Sequence, residues 1–384
     1  MSEIFLRIVN MSISASWLIL AVLGLRLVFT KAPKGFRVLL WGIVAVRLLV
    51  PFSIESVLSL IPSAQTIPAD FGMDLTPAIH SGIEAINRVV NPMISQSNTP
   101  VNGASVNPLQ IAVAVCANVW MLGAGALPLY GIISYWCLRR RVATAVFLRE
   151  NIFRSESISS PFVMGIIAPR IFLPFRMHAQ NLEYVVAHEQ AHIRRRDHWW
   201  KPLGFLLLAV HWFNPFVWLA YVLLCRDIEL ACDEKVIKEL DNEERANYTQ
   251  ALVACSTNHC MIVPCPVAFG EVGVKERVKS IMNYKRPALW INILTVISCV
   301  AVAVCFLTNP VTATAALTQG GSYTVIIPGK VKNPDVDTGD EEPIVHNDAQ
   351  RLASMEATVQ ALKEELAQLQ AEYEEMIKAE QGKQ

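Results

Sequence analysis

The chain is short of charge. Asp, Glu, Lys and Arg make up 17% of its 384 residues, against about 25% in an average soluble domain. The shortfall is concentrated in a few long apolar runs within a chain that is 53% hydrophobic. That pattern points to membrane spans rather than to one large soluble core. A net charge is missing too: 33 basic residues balance 33 acidic ones, so no basic excess supports direct nucleic-acid binding. Met1-Ser2-Glu3 lacks the basic start of a cleavable secretory leader, and no small-residue cleavage site follows the first apolar run.

Cysteines are absent from 53–108 and 309–384, although nine occur elsewhere. Both segments are placed outside the cell below, so a disulfide framework is not expected. Cys255, His259, Cys260 and Cys265 fit no standard zinc spacing.

Four apolar runs have the length of a membrane span: 8–30, 36–53, 110–137 and 288–307. Basic flanks orient them. Lys31, Lys34 and Arg37 lie between the first two runs, and Arg139-Arg140-Arg141 follows the third. Lys275, Arg277, Lys279, Lys285 and Arg286 precede the fourth. By contrast, 53–108 holds one basic residue, Arg88, beside Glu55, Asp70, Asp74 and Glu84. The consistent arrangement puts 138–287 in the cytoplasm, with 53–108 and the C-terminal tail outside. The domains expected are 1–137 (three spans and the outer loop), 138–287 (cytoplasmic), 288–307 (the fourth span), 308–347 (an extracytoplasmic linker) and 348–380 (a helix). Arg47, inside the second run, is expected to snorkel from a short helix end.

Within the cytoplasmic segment stands His188-Glu189-Gln190-Ala191-His192. Residues four apart on a helix share a face, so two imidazoles at this spacing can grip one Zn²⁺. The carboxylate of Glu189 can then take a proton from the attacking water. The helix is expected over 181–197, capped by Asn181 and ended before Pro202. A catalytic zinc needs a third protein ligand. Glu229 and Asp233, four apart in Glu229-Leu230-Ala231-Cys232-Asp233, share one helix face. Glu229 is the best third ligand, with Cys232 as its softer competitor. Asp233 can accept a hydrogen bond from the far nitrogen of a ligand histidine. His211 reads as a satisfied buried side chain, and His198 as a surface or interface residue.

The apolar stretch 203–224 lies between these helices. Were it to cross the membrane, Glu229 would be on the opposite side from the histidines. Asn214-Pro215 interrupts it, Pro215 suiting a helix start and Asn214 its cap. A hairpin that returns to the side it left is therefore expected.

These motifs, in order, resemble the antirepressor membrane metallopeptidases of the BlaR/MecR type. They are Ser160-Pro161-Phe162-Val163-Met164-Gly165, Pro169-Arg170-Ile171-Phe172-Leu173-Pro174, the His188–His192 motif, Arg195-Arg196-Asp197-His198, His211-Trp212-Phe213-Asn214-Pro215 and Glu229–Asp233, with a further block at Lys275-Glu276-Arg277-Val278. The resemblance implies a mainly α membrane protein with a cytoplasmic gluzincin-type zinc metallopeptidase domain. It also implies Zn²⁺ on His188, His192 and Glu229, Glu189 as base, and the relay of an outside signal by cleavage of a repressor or of the chain itself. The chain departs from the β-lactam transducers after the last span. Their penicillin-binding sensor has a Ser-x-x-Lys nucleophile, whereas Ser322 and Ser354 here precede Val325 and Ala357 at that spacing. Acylation by a β-lactam is not expected of this tail.

In the tail, Leu352, Met355, Val359, Leu362, Leu366, Leu369, Tyr373 and Met376 alternate spacings of three and four, a coiled-coil seam. A homodimer through 352–376, or pairing with an envelope partner, is the expected partnership, beside the lipid bilayer and a protein substrate. The rival readings are a housekeeping membrane zinc protease of the Ste24/HtpX kind and a non-enzymatic coiled-coil scaffold. Intact Glu189 weighs against the scaffold.

Overall fold

The computed structural model describes residues 1–50, 54–63, 65–68, 71, 77–97, 108–177, 179–256 and 270–310. The chain opens with α1 (Ser2–Val28), α2 (Lys34–Leu49), the short strand β1 (Ile54–Glu55), α3 (Glu84–Ser97) and α4 (Pro108–Arg141). Four strands follow: β2 (Val146–Arg149), β3 (Ile152–Ser155), β4 (Phe162–Met164) and β5 (Arg170–Pro174). Next come α5 (Ala179–Arg194), α6 (Asp197–Val210), α7 (Pro215–Ile237), α8 (Asn242–Ser256) and α9 (Gly270–Met282). The last described elements are α10 (Leu289–Leu307) and β6 (Thr308–Asn309). The chain is mainly helical. The coiled-coil segment and nearly all of the linker lie outside the described residues, as do His259, Cys260 and Cys265.

Among the described residues, α1, α4 and α10 are long and apolar enough to cross a membrane. The run expected as a second span forms α2, whose 16 residues fall short of the roughly 20 that a full crossing needs. β1 follows α2 and pairs in parallel with β6, which ends α10 (Ile54 with Thr308, Glu55 with Asn309). The C-terminal ends of α2 and α10 therefore lie side by side. Arg47 does not snorkel. It is 7% exposed and donates to Asn309 Oδ1 at 2.8 Å, because a guanidinium so enclosed needs an acceptor within reach.

The four-stranded sheet has the order β2-β3-β5-β4. β3 and β5 run parallel, and the two edge strands are antiparallel to their neighbours. Gly165 turns the chain out of β4 at φ +110°, where a Cβ would stand 2.5 Å from the Ala168 carbonyl oxygen; only glycine fits both constraints. Ile152, Ile171 and Leu173 of the sheet pack on Val185 and Val186 of α5. That packing seats the helix carrying the paired histidines.

The α5 helix starts and stops earlier than the sequence suggests. Asn181 lies inside it rather than at its cap, and the helix ends at Arg194. Arg196 takes a left-handed conformation (φ 60°), and Asp197 opens the next helix. The α5 helix does end before Pro202, which sits within α6.

Asn214 caps α7, its side chain accepting from the Phe216 N–H, with Pro215 opening the helix. The turn is tied to the middle of α1: Asn214 Nδ2 lies 2.7 Å from Ser12 Oγ and 2.8 Å from Ser16 Oγ. It is tied to α4 as well. Trp120 Nε1 donates to the Val210 carbonyl at 2.8 Å and Trp212 Nε1 to the Trp120 carbonyl at 3.1 Å. α6 and α7 run back along each other, with Gly204 against Leu224 and Tyr221. The pair enters the apolar helix cluster to the level of Ser12 and returns, and α7 continues well past the apolar stretch, to Ile237.

Candidate metal centre

The centre is assembled from five helices. α5 supplies His188, Glu189 and His192, α6 supplies Asp197 and Lys201, α7 supplies Glu229, Cys232 and Asp233, α8 supplies Tyr248, and α9 supplies Arg277. His188 Nε2 and His192 Nε2 stand 3.2 Å apart. Glu229 Oε2 is 3.4 Å from the first and Oε1 is 3.5 Å from the second. Donors placed about 2.0–2.1 Å from one tetrahedral ion would be separated by roughly 3.4 Å. Separations of 3.2, 3.4 and 3.5 Å, the last two to different oxygens of one carboxylate, are compatible with two imidazoles and a carboxylate converging on a single Zn²⁺.

Both rings are oriented from behind. His192 Nδ1 lies 2.8 Å from Asp197 Oδ2. An ionised carboxylate only accepts, so Nδ1 carries the proton and Nε2 keeps a lone pair. His188 Nδ1 lies 2.8 Å from Tyr248 Oη, which donates to Asp233 Oδ1 at 2.7 Å. Asp233 itself stands 3.2 Å from His188 Nδ1, so the tyrosine hydroxyl is the nearer partner. Arg277 holds Asp233 through two hydrogen bonds, 2.7 Å from Nε and 2.8 Å from Nη2. This pairing keeps the buried Asp233 carboxyl far below the usual carboxylate range, despite burial, which pushes the other way.

Two cations border the donor triangle. Lys201 Nζ is 2.8 Å from Glu229 Oε1. Arg277 Nη2 is 3.3 Å from His188 Nε2, and its Nη1 is 3.4 Å from Glu229 Oε2. Burial disfavours charge on Glu229, yet Lys201 and His192 hold its carboxyl well below the ordinary value. Burial likewise disfavours charge on His192, and Glu229 overrides it, raising that imidazole well above its ordinary range. An ion entering this site therefore displaces protons.

Cys232 lies close by: its Sγ is within 4.8 Å of ligand nitrogens of both histidines. Its thiol donates to the backbone carbonyl of His188 at 3.3 Å. His188, His192 and Cys232 thus form a compact group that could also hold a metal ion, while the Glu229 oxygens lie 3.4 and 3.5 Å from the same two imidazoles. Glu189 is 8% exposed, and among the described residues no hydrogen-bond or ion-pair partner holds its carboxylate. It neighbours Cys255, whose thiol is pushed up by burial and by the Glu189 charge. Outside the centre, His211 is buried with its Nδ1 3.1 Å from the Leu207 carbonyl.

The sequence reading did not single out Asp197, Tyr248, Lys201 or Arg277 for this centre. Asp197 carried a signal, a carboxylate five residues after His192 across a helix break. Arg277 lay in a block noted for another reason. Tyr248 carried none, since only the packing of α8 brings it to α5.

The profile of the BlaR1 peptidase M56 family matches residues 6–281. Over 138 residues, 34% of this chain, the sequence is 30% identical to the methicillin resistance mecR1 proteins of Staphylococcus aureus and Staphylococcus epidermidis, covering 24% of each. It is 27% identical over 139 residues to the regulatory protein BlaR1 of Bacillus licheniformis, covering 23% of it. The match thus spans about a quarter of the length of these curated relatives.

Proposed function

Since the chain belongs to the BlaR1 peptidase M56 family, we propose that it is a membrane-embedded zinc metallopeptidase that relays an outside signal by cutting a cytoplasmic repressor or itself. The observation that carries this reading is the meeting of His188, His192 and Glu229 around one point, beside a Glu189 carboxylate with no hydrogen-bond or ion-pair partner among the described residues. Relatives named for resistance and regulation favour a signalling role over housekeeping proteolysis of the Ste24/HtpX kind.

Zinc, when bound, supplies a Lewis acid that polarises the scissile carbonyl. Glu189 takes the proton from the attacking water and passes it to the leaving amine. Asp197 and Tyr248 fix the ring orientation of His192 and His188. Arg277 and Lys201 border Glu229 and supply positive charge that would favour the negative charge developing on the carbonyl oxygen. The reading also holds that α1, α4 and α10 span the plasma membrane and that α2, although short for a span, crosses with them, its C-terminal end beside that of α10, with the centre at the cytoplasmic face and the coiled coil at 352–376 pairing two copies outside.

The test is cleavage in cells after stimulation, of the chain or of a small DNA-binding repressor encoded beside it. Glu189→Ala is expected to keep zinc and to abolish cleavage, a loss of roughly 10²–10⁴-fold for a general base. Equal turnover by the variant in a reconstituted assay removes Glu189 from the mechanism.

A further inference from the structure

The α7 helix has two working faces. At 3.6 residues per turn, successive residues are rotated by about 100°. Glu229 therefore points nearly opposite to Asp227, and Glu234, two turns on, shares the Asp227 face. One face carries Glu229 and Asp233 to α5. The other is bonded to the first two helices of the chain.

Those bonds are short and enclosed. Asp227 is fully buried. Its Oδ1 accepts from Arg26 Nη2 of α1 at 2.7 Å, with Arg37 Nη1 of α2 at 3.8 Å. Its Oδ2 accepts from Trp41 Nε1 of α2 at 2.8 Å. The Arg26 guanidinium also lies over the Trp41 ring at 5.8 Å. Glu234 Oε2 accepts from the Lys34 backbone N–H, at the start of α2, at 2.5 Å. A buried carboxylate with such partners fixes geometry strongly, because any displacement leaves a charge unpaired. No other part of the centre is bonded so directly to α1 and α2 among the described residues.

We propose that Asp227 is a positioning residue: it locks the helix bearing Glu229 to α1 and α2, so that a shift of those two helices moves Glu229 relative to His188 and His192. The far ends of the same helices face the outer loop, where Asn10 of α1 exchanges hydrogen bonds of 2.7 and 2.9 Å with Ile67. A displacement at that end is carried to the metal centre through packed helices and one buried charge cluster, with no flexible linker between. This inference rests on the assignment of Glu229 as a ligand.

The test uses the full chain in lipid nanodiscs, loaded with Co²⁺, whose d–d absorption reports coordination geometry. Trp41→Phe removes one donor and keeps the ring; Arg26→Gln removes the charge; Arg26→Lys restores it. None of these residues touches the centre. Trp41→Phe and Arg26→Gln are expected to shift the d–d bands and weaken Co²⁺ binding by roughly three- to tenfold, less than the 10- to 100-fold typical of groups bonded directly to ligands. Arg26→Lys is expected to return both toward the parent. A lower melting temperature with unchanged bands and affinity in the loaded protein would mean a purely structural role and overturns the proposal. Should Arg26→Gln fail to fold, Trp41→Phe alone decides, in the same two directions. Glu229→Gln separates the two levels. If it alters the bands and the other variants do not, only the positioning role falls; if it leaves the bands untouched, the ligand assignment falls and this proposal with it.

Discussion

Lys201 Nζ stands 2.8 Å from Glu229 Oε1, so the carboxylate beside the paired imidazoles is shared with an ammonium group from α6. A metal ion and a lysine then compete for the same charge. Removing the lysine by Lys201→Met frees Glu229 for the ion. Zinc binding is expected to tighten by up to about fivefold, matching roughly 1 kcal/mol for a partly exposed pair. Competition against a fluorescent chelator measures it. Weaker binding in the variant would show that the lysine supports the ligand rather than competing for it.

His188→Ala and Glu229→Ala each remove one corner of the triangle. Both variants are expected to lose most of their bound zinc after dialysis against chelator-treated buffer, as read by elemental analysis. Full occupancy in both would remove the assignment, and retention in Glu229→Ala alone would turn attention to Cys232.

Tyr248→Phe and Asp197→Asn leave all three donors in place and disturb only what orients the rings. Each is expected to weaken zinc binding by roughly 10- to 100-fold. Parent-like affinity in Tyr248→Phe would mean that Asp233, 3.2 Å from His188 Nδ1, orients that ring without help.

Asn214 is the joint on which the return of the chain depends. Asn214→Ala deletes the cap of α7 and removes the amide that donates to the hydroxyls of Ser12 and Ser16. The loss is expected to be about 2 kcal/mol or more, the sum of a helix cap and buried hydrogen bonds. Thermal unfolding in detergent reads it, and a midpoint equal to the parent's would show that the turn holds without the asparagine.

Much of this was legible in the chain because it is local. His188 and His192 share a helix face by spacing alone, and so do Glu229 and Asp233. Asn214-Pro215 announces a helix start by its chemistry, and the α7 cap forms there. Helix ends were less legible. The sequence places the helix end near Asp197, before Pro202; the helix ends at Arg194, and Arg196 turns the chain in a left-handed geometry that leaves no residue signature. Arg47 illustrates a different limit. Burial in an apolar helix suggests snorkelling, but its partner Asn309 is distant in sequence and arrives only through the pairing of β1 with β6.

What the sequence determined by itself is the inventory of donors and the periodicity that sets them on helix faces, since both depend on backbone geometry repeating every few residues. What only the tertiary structure decided is which groups meet. The Tyr248 hydroxyl behind His188, Arg277 on Asp233, Lys201 on Glu229 and Arg26 on Asp227 all depend on how helices far apart in the chain pack. Side-chain contacts of that kind follow from the shape of the whole fold, which no local spacing encodes.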